Sequence, residues 1–245
     1  MTRAIIGIDC AVDPRRTGLA LALENPGGLR VEHVVAGLDA DALCVRLWHW
    51  MAEYPVDVLA LDAPLGWPAA LGAELATHHA GDPIDMAPNE LFRRATDREI
   101  KRTLGKQPLD VGADRIARTA VAALRLLQFL RDKCGAAIPV VLDSKRGAGP
   151  VAIEVYPAGT LKACGLRASG YKQGSQRQER VEIITGLAPY MDTGGFDDLL
   201  CVDDNALDAV ICALAGFDFW SGKAVPPTNR ELARKEGWIW VRRPA

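Results

Sequence analysis

The chain has 245 residues, 49% of them apolar and 24% charged, with a net charge of −2. That balance fits a soluble globular protein with a sizeable core, and it lacks the overall basicity of a general nucleic-acid binder, so any polyanion contact must come from local patches. No stretch approaches the ~20 consecutive apolar residues of a membrane span, and the opening run Ala4-Ile5-Ile6-Gly7-Ile8 is too short for a signal peptide, so a cytoplasmic location is expected.

In chain order, Ala4 to Cys10 reads as a buried strand, followed by a turn containing Asp13, Pro14 and Gly18. Gly18 to Leu23 is a second strand. Pro26-Gly27-Gly28 marks a turn, and Leu29 to Leu38 is a third strand. Three strands with short connections predict an antiparallel meander. Asp39 or Asp41 can cap a helix reaching about Tyr54, with Leu43, Leu47, Trp50 and Met51 at helical spacing. Val56 to Leu61 is a fourth strand, and the intervening helix supplies the crossover that lets it lie parallel to the first.

Residues 67–111 are rich in Pro, Gly, His and charge, with one basic helix expected from Asn89 to about Leu104. A longer helix is expected from Ala113 to about Lys133, with Cys134-Gly135 as its C-cap. Residues 67–135 are read as a helical insertion within a single domain spanning 1–245. Val140 to Leu142 and Val151 to Tyr156 are further strand candidates, with a short helix from Gly159. Ser169 to Gln178 has the polar, Gly- and Gln-rich composition of a mobile loop. Helices follow over Gln178 to Leu187 and Asp204 to Trp220, and Gly237 to Arg242 is a candidate edge strand. The predicted class is α/β, a ribonuclease H-like mixed sheet with three antiparallel strands followed by parallel ones, flanked by helices.

The six cysteines, at 10, 44, 134, 164, 201 and 212, include no Cys-x-x-Cys pair, so core thiols are expected rather than a zinc site. The chemistry is carried by acids instead. Asp9 ends the first strand, where a carboxylate in an apolar run is costly unless paired or metal-bound; the alternative is a turn-forming Asp. Asp62 ends the fourth strand, before Ala63-Pro64-Leu65-Gly66, and strand ends in α/β sheets are where ligands gather; the alternative is a cap. If the two strands are parallel neighbours ~4.8 Å apart, both acids emerge side by side. Asp208 lies a full turn inside an apolar helix, and Asp204 is one turn earlier on the same face, though Asp203 and Asp204 also suit N-capping. Glu154 lies on the strand face opposite Ile153 and Val155, as a metal ligand or a solvated edge residue.

Like charges ~4 Å apart repel by about 4 kcal/mol at an effective dielectric near 20, so such a cluster takes up protons or a cation. Oxygen ligands suit Mg²⁺ or Mn²⁺, and two such ions suit phosphodiester hydrolysis. Asp9 is expected to bridge them, with Asp62 and Asp208 each completing one shell and Glu154 and Asp204 as further ligands. Arg94, Arg98 and Arg102 recur at i, i+4 and form a basic stripe, and Lys172, Arg177 and Arg180 flank the polar loop; these groups can contact phosphates or belong to solvated faces. His78-His79 reads as loop surface.

The sequence resembles the family of predicted ribonuclease H-like nucleases known as domain of unknown function 429. The pieces carrying the resemblance are Gly7-Ile8-Asp9, Leu61-Asp62-Ala63-Pro64-Leu65-Gly66, Arg94-Ala95-Thr96-Asp97-Arg98, Glu154-Val155-Tyr156-Pro157-Ala158, Tyr171-Lys172, Asp204 with Leu207-Asp208-Ala209, and Glu236-Gly237-Trp238-Ile239. The resemblance implies metal-binding acids at Asp9, Asp62 and Asp208. It places Arg94, Asp97, Arg98, Tyr156 and Lys172 at family motifs, read here as substrate contacts. The expected function is a metal-dependent nuclease acting on nucleic acid. Two alternatives are an actin-like ATP-binding phosphotransferase, which would need a second phosphate loop that the sequence lacks, and a non-catalytic nucleic-acid-binding module.

Overall fold

The computed structural model describes residues 3–112, 114–143 and 149–244. Strand β1 (Ala4–Asp9) is buried along its whole length, which is why its sequence is a continuous apolar run rather than an alternating one. It pairs antiparallel with β2 (Gly18–Asn25), which pairs antiparallel with β3 (Gly28–Val35). The β2–β3 turn closes where the Gly27 amide donates to the Asn25 side chain and Gly28 takes φ +123°.

Helix α1 (Ala40–Glu53) starts where the Asp39 carboxylate accepts from the Ala42 amide, and it buries Leu43, Leu47 and Trp50. It returns the chain to β4 (Val56–Leu61), parallel to β1 as expected, with Ile8 beside Leu61. Next come α2 (Ala69–Leu75), α3 (Pro88–Phe92), α4 (Ala95–Leu104) and α5 (Asp114–Cys134). The expected single helix over 89–104 is two. Arg93 and Arg94 have extended backbones between α3 and α4, and the Asp97 carboxylate reaches back to accept from the Arg94 amide at 2.9 Å at the start of α4. The expected helix start at Ala113 lies outside the described residues. Helix α5 is the crossover joining β4 to parallel β5 (Val151–Glu154), and its apolar face is core, so within residues 67–135 only the part before it is additional to the basic fold.

The rest of the chain adds α6 (Pro157–Ala163), α7 (Arg177–Leu187), β6 (Met191–Asp192), α8 (Asp197–Val202), α9 (Asp204–Trp220) and α10 (Arg230–Glu236). The two-residue β6 pairs parallel with β3 and is too short to leave a periodicity in the sequence. The candidate strands at 140–142 and 237–242 contribute isolated bridges, Val140 with Ala152, Ile239 with Glu154 and Arg242 with Ala224. The sheet order is β5-β4-β1-β2-β3-β6. With β2 antiparallel and β4 and β5 parallel to β1, this is the ribonuclease H-like topology.

Strand alternation sends Ile5, Val58, Ala60 and Ile153 to one face, under α9, and Ile6, Ile8, Leu59, Leu61 and Ala152 to the other, under α1 and α5. Thirteen of the seventeen residues of α9 are buried, because it lies across the middle of the sheet and is covered on its outer side as well. Two glycines allow that approach. A Cβ on Gly7 would stand 2.0 Å from the Ala209 carbonyl oxygen, and one on Gly18 2.0 Å from that of Asn205. All six cysteines are free thiols; Cys201 and Cys212 are buried, and the other four are partly exposed.

Candidate metal centre

Asp9 follows Ile5 and Gly7 on the α9 face of β1, and Asp62 follows Val58 and Ala60 on the same face of β4. The Asp62 amide donates to the Ile8 carbonyl at 2.9 Å, so the parallel ladder carries both carboxylates out at one level. Asp208 comes down from α9 onto the same point. Asp9, Asp62 and Asp208 each present an oxygen, and the three oxygens lie within 4.8 Å of one another.

Each acid is held by its surroundings. Tyr171 donates to Asp208 Oδ1 at 2.8 Å, and the Lys172 ammonium sits against Asp208 Oδ2. The Asn205 side chain faces Asp9 Oδ2 and the Arg16 carbonyl oxygen; with its nitrogen turned to them it donates to both, at 3.2 and 3.1 Å. The Thr17 hydroxyl accepts from the Ala11 amide and shapes the turn after Asp9. Asp203, rather than Asp204, caps α9, accepting from the amides of Asn205 and Ala206. Asp204 lines the same cleft but stands outside the group of three.

Burial and mutual repulsion favour the protonated acids. Burial first, then the charges of Asp208 and Asp62, push Asp9 well above the usual carboxylate range. Burial raises Asp62 to about 7, with Lys172 opposing and Asp208 and Glu154 adding to the rise. Asp208 is raised by burial against the opposing effect of Lys172 and Tyr171. Burial alone would lower Lys172, but the carboxylates of Asp208, Asp62 and Asp9 hold it firmly protonated. Burial and the charge on Asp62 push the Tyr156 phenol to about 12, so it stays a donor at neutral pH.

A compact group of carboxylates with too little positive charge around it fits a divalent cation with oxygen ligands. The donor set, all carboxylate with no Cys or His, suits Mg²⁺ or Mn²⁺ over zinc. Asp9 and Asp62 line a cleft of about 800 Å³, with Asp208 fully buried behind them, and Arg16, Lys106, Arg115, Tyr156 and Lys172 also open into it.

Glu154 is placed differently from the sequence expectation. It sits beside Leu61, not Asp62, in the β4–β5 register, so its carboxylate turns to Arg94 and stays outside the group of three, while still bordering the same cleft. Its oxygens accept from Arg94 at 2.7 and 2.8 Å and from the Leu65 amide at 3.0 Å. The Arg94 guanidinium has five N–H donors, and five contacts use them: two to Asp97, two to Glu154 and one to the Glu236 carbonyl oxygen.

Arg94 is only 1% exposed and Asp97 fully buried, so neither can meet a substrate phosphate, and Arg94 does not share a solvated stripe with Arg98 and Arg102. Arg98 is exposed and donates to the Arg93 carbonyl, while Arg102 pairs with Glu99. The Arg94 cluster is a structural knot. It joins β5, the loop after β4, the start of α4 and the end of α10, where the Glu236 carboxylate accepts from the amides of Ala69 and Ala95.

Arg180 is likewise buried rather than offered to phosphate. It donates to the carbonyls of Tyr171, Gln173 and Cys201, which pins the first part of the expected mobile loop and fixes Tyr171 beside Asp208. Tyr171 and Asn205 are site-forming residues that sequence reasoning did not assign, and Arg180 takes a positioning role in place of the phosphate contact or solvated face expected of it. The signal for Tyr171 was its place next to Lys172 in a motif.

No curated protein matches the sequence. Among solved structures, RuvC from T. thermophilus, in complex with a Holliday junction substrate, is similar over 92% of this chain and 99% of its own, at 11% identity and a TM-score of 0.39. A family model described as protein of unknown function (DUF429) matches residues 7–232, nearly the whole length from β1 to α10, and the chain belongs to that family.

Proposed function

We propose that the protein is a nuclease that hydrolyses phosphodiester bonds in nucleic acid with Mg²⁺ or Mn²⁺ held by Asp9, Asp62 and Asp208. The observation carrying this reading is the convergence of three acids, from two parallel strand ends and one buried helix, at a single point on the wall of a cleft that Asp9 and Asp62 line and that also presents cations. Bound divalent ions supply charge neutralisation and Lewis acidity for the attack of water on phosphorus. The reaction consumes one water, breaks one P–O bond, and leaves a phosphomonoester and an alcohol.

The protein's own groups bind and orient. Asn205 orients Asp9, and Tyr171 with Lys172 orients Asp208. Arg16, Lys106 and Arg115, on the cleft wall, attract the flanking phosphates. Tyr156, a phenol that keeps its proton, donates to a phosphate oxygen. Asp204 contributes negative charge from just outside the three acids. The Arg94–Glu154–Asp97 knot fixes the wall between β4, β5 and the C-terminal segment without touching substrate.

The test is cleavage of labelled single-stranded, duplex and hybrid substrates with Mn²⁺, comparing wild type with Asp9→Asn. Metal-dependent cleavage lost in the variant supports the reading. No Mn²⁺ binding by calorimetry, with no cleavage, would sink it.

A further inference from the structure

Next to the acidic cleft lies a second one, of about 880 Å³, between α1, α5 and the turn after β1. Cys10, Ala11 and Val12 line both, so the two are continuous. The walls of the second cleft are apolar and partly aromatic. Val12 and Val121 are 51% and 39% exposed, and Trp67, Leu126 and Phe129 are half-buried. The Trp67 indole N–H has no protein acceptor among the described residues.

Along the α5 edge, Arg118 and Arg125 are exposed and line the cleft, and no carboxylate pairs with either among the described residues. Arg115, one turn earlier, lines the acidic cleft. The three arginines span residues 115–125 of one helix, a rise of about 15 Å. An apolar, aromatic floor beside a row of unpaired cations is what unpaired bases on a phosphate backbone need, with rings stacking on the floor and phosphates meeting the guanidinium groups. A duplex keeps its base faces stacked inside and cannot offer them.

We propose that this groove binds the unpaired bases of a single nucleic-acid strand, with Trp67 as a stacking platform and Arg118 and Arg125 as phosphate contacts, and so feeds the strand to the acidic centre. The inference rests on the nuclease reading above for the strand's destination, but the binding itself needs no metal. A strand anchored in this groove is held next to a centre whose own carboxylates, without metal, repel phosphate.

The experiment uses the full chain in EDTA with fluorescein-labelled 15-residue thymidine and uridine strands, a duplex of equal length and an abasic 15-mer. The thymidine and uridine strands should bind at least tenfold more tightly than the duplex or the abasic strand. Trp67→Ala should weaken that binding by between about 5- and 150-fold, the range for one lost base stack, and Trp67→Phe should recover most of it. The Arg118→Ala/Arg125→Ala pair should make the slope of log affinity against log salt shallower by about 1.4. Trp48→Ala, on an exposed part of α1 outside the groove, should bind as wild type.

Equal binding of the abasic strand, or wild-type affinity in both the Trp67→Ala and the double-arginine variants, would overturn the proposal. A concentration-dependent dimer in sedimentation, lost in Trp67→Ala, would overturn it too, by assigning the groove to a second copy. Mn²⁺-dependent cleavage that survives both groove changes would remove the groove and leave the metal centre. Tight strand binding by an Asp9→Asn protein that still cleaves would do the reverse.

Discussion

Replacing Asp9 with Asn should stabilise the protein in the absence of metal while removing its response to metal. Asp9, Asp62 and Asp208 bring oxygens within 4.8 Å of one another. At that separation and an effective dielectric near 20, each like-charged pair repels by about 3–4 kcal/mol, and Lys172 cancels part of this. A net gain of about 2 kcal/mol for Asp9→Asn at pH 8.5 in EDTA is expected, or a rise in Tm of roughly 4–8 °C for a chain of this size. The pH dependence has a defined sign. Burial and neighbouring charge raise all three acids, with Asp62 at about 7. Between about pH 4 and 7 the folded chain therefore holds more protons than the unfolded one. Stability should be greatest on the acid side of that window, fall as pH rises through it, and level off above the raised values. Asp9→Asn should flatten that fall. Mn²⁺ at 100 times its dissociation constant should add about 2.7 kcal/mol to wild type and almost nothing to the variant. Thermal melts at pH 5, 7 and 8.5, with EDTA or Mn²⁺, read all of this. A variant less stable than wild type at pH 8.5 in EDTA, gaining as much from Mn²⁺, would refute the reasoning.

Lys172→Met should destabilise the metal-free protein by about 1–2 kcal/mol above pH 7, between the worth of an exposed and a buried ion pair, and should tighten Mn²⁺ binding because the internal cation against Asp208 is gone; calorimetry and melts check both. Tyr171→Phe removes a hydrogen bond to a buried carboxylate and should cost about 1.5–3 kcal/mol in denaturant titrations, with a weaker response to metal. Arg94→Ala leaves Glu154 and Asp97 buried without their partner and should cost about 3–5 kcal/mol; Arg94→Lys, which cannot fill five directed contacts, should recover only a minor part in the same titration. Gly7→Ala drives a methyl group into the Ala209 carbonyl and should lower stability by 3 kcal/mol or more, with loss of Mn²⁺ binding as α9 lifts from the sheet.

The sheet was legible because its signals are local. The continuous apolar runs of β1 and β4, the glycines at the β2–β3 turn and the cap at Asp39 each point to one structure. The three acids were legible because a charge at the end, or in the middle, of an apolar run demands an explanation. Glu154 was misread for want of register. It falls level with Leu61, and one residue of offset along β5 would have put it beside Asp62. Arg94 and Arg180 were misread because periodicity places a side chain on a helix face without saying what that face meets. Arg94 looked like one member of a basic stripe, yet three of its five contacts go to partners 60 and 142 residues away in sequence. The split between α3 and α4, the two-residue β6 and the single bridges at 140 and 239 carry too few residues to leave a pattern.

The seating of α9 constrains what can change at this centre. The helix touches the sheet backbone to backbone, at Gly7 and Gly18, with no adaptable side chain between. Substitutions in the surrounding core can therefore loosen the protein but cannot smoothly alter how far Asp208 stands from Asp9 and Asp62. A change of ion preference has to be made in the reach of the acids themselves, by exchanging Asp for Glu. A larger ion such as Ca²⁺, which needs a wider and more pliable ring of oxygens, is disfavoured by a scaffold with this little give.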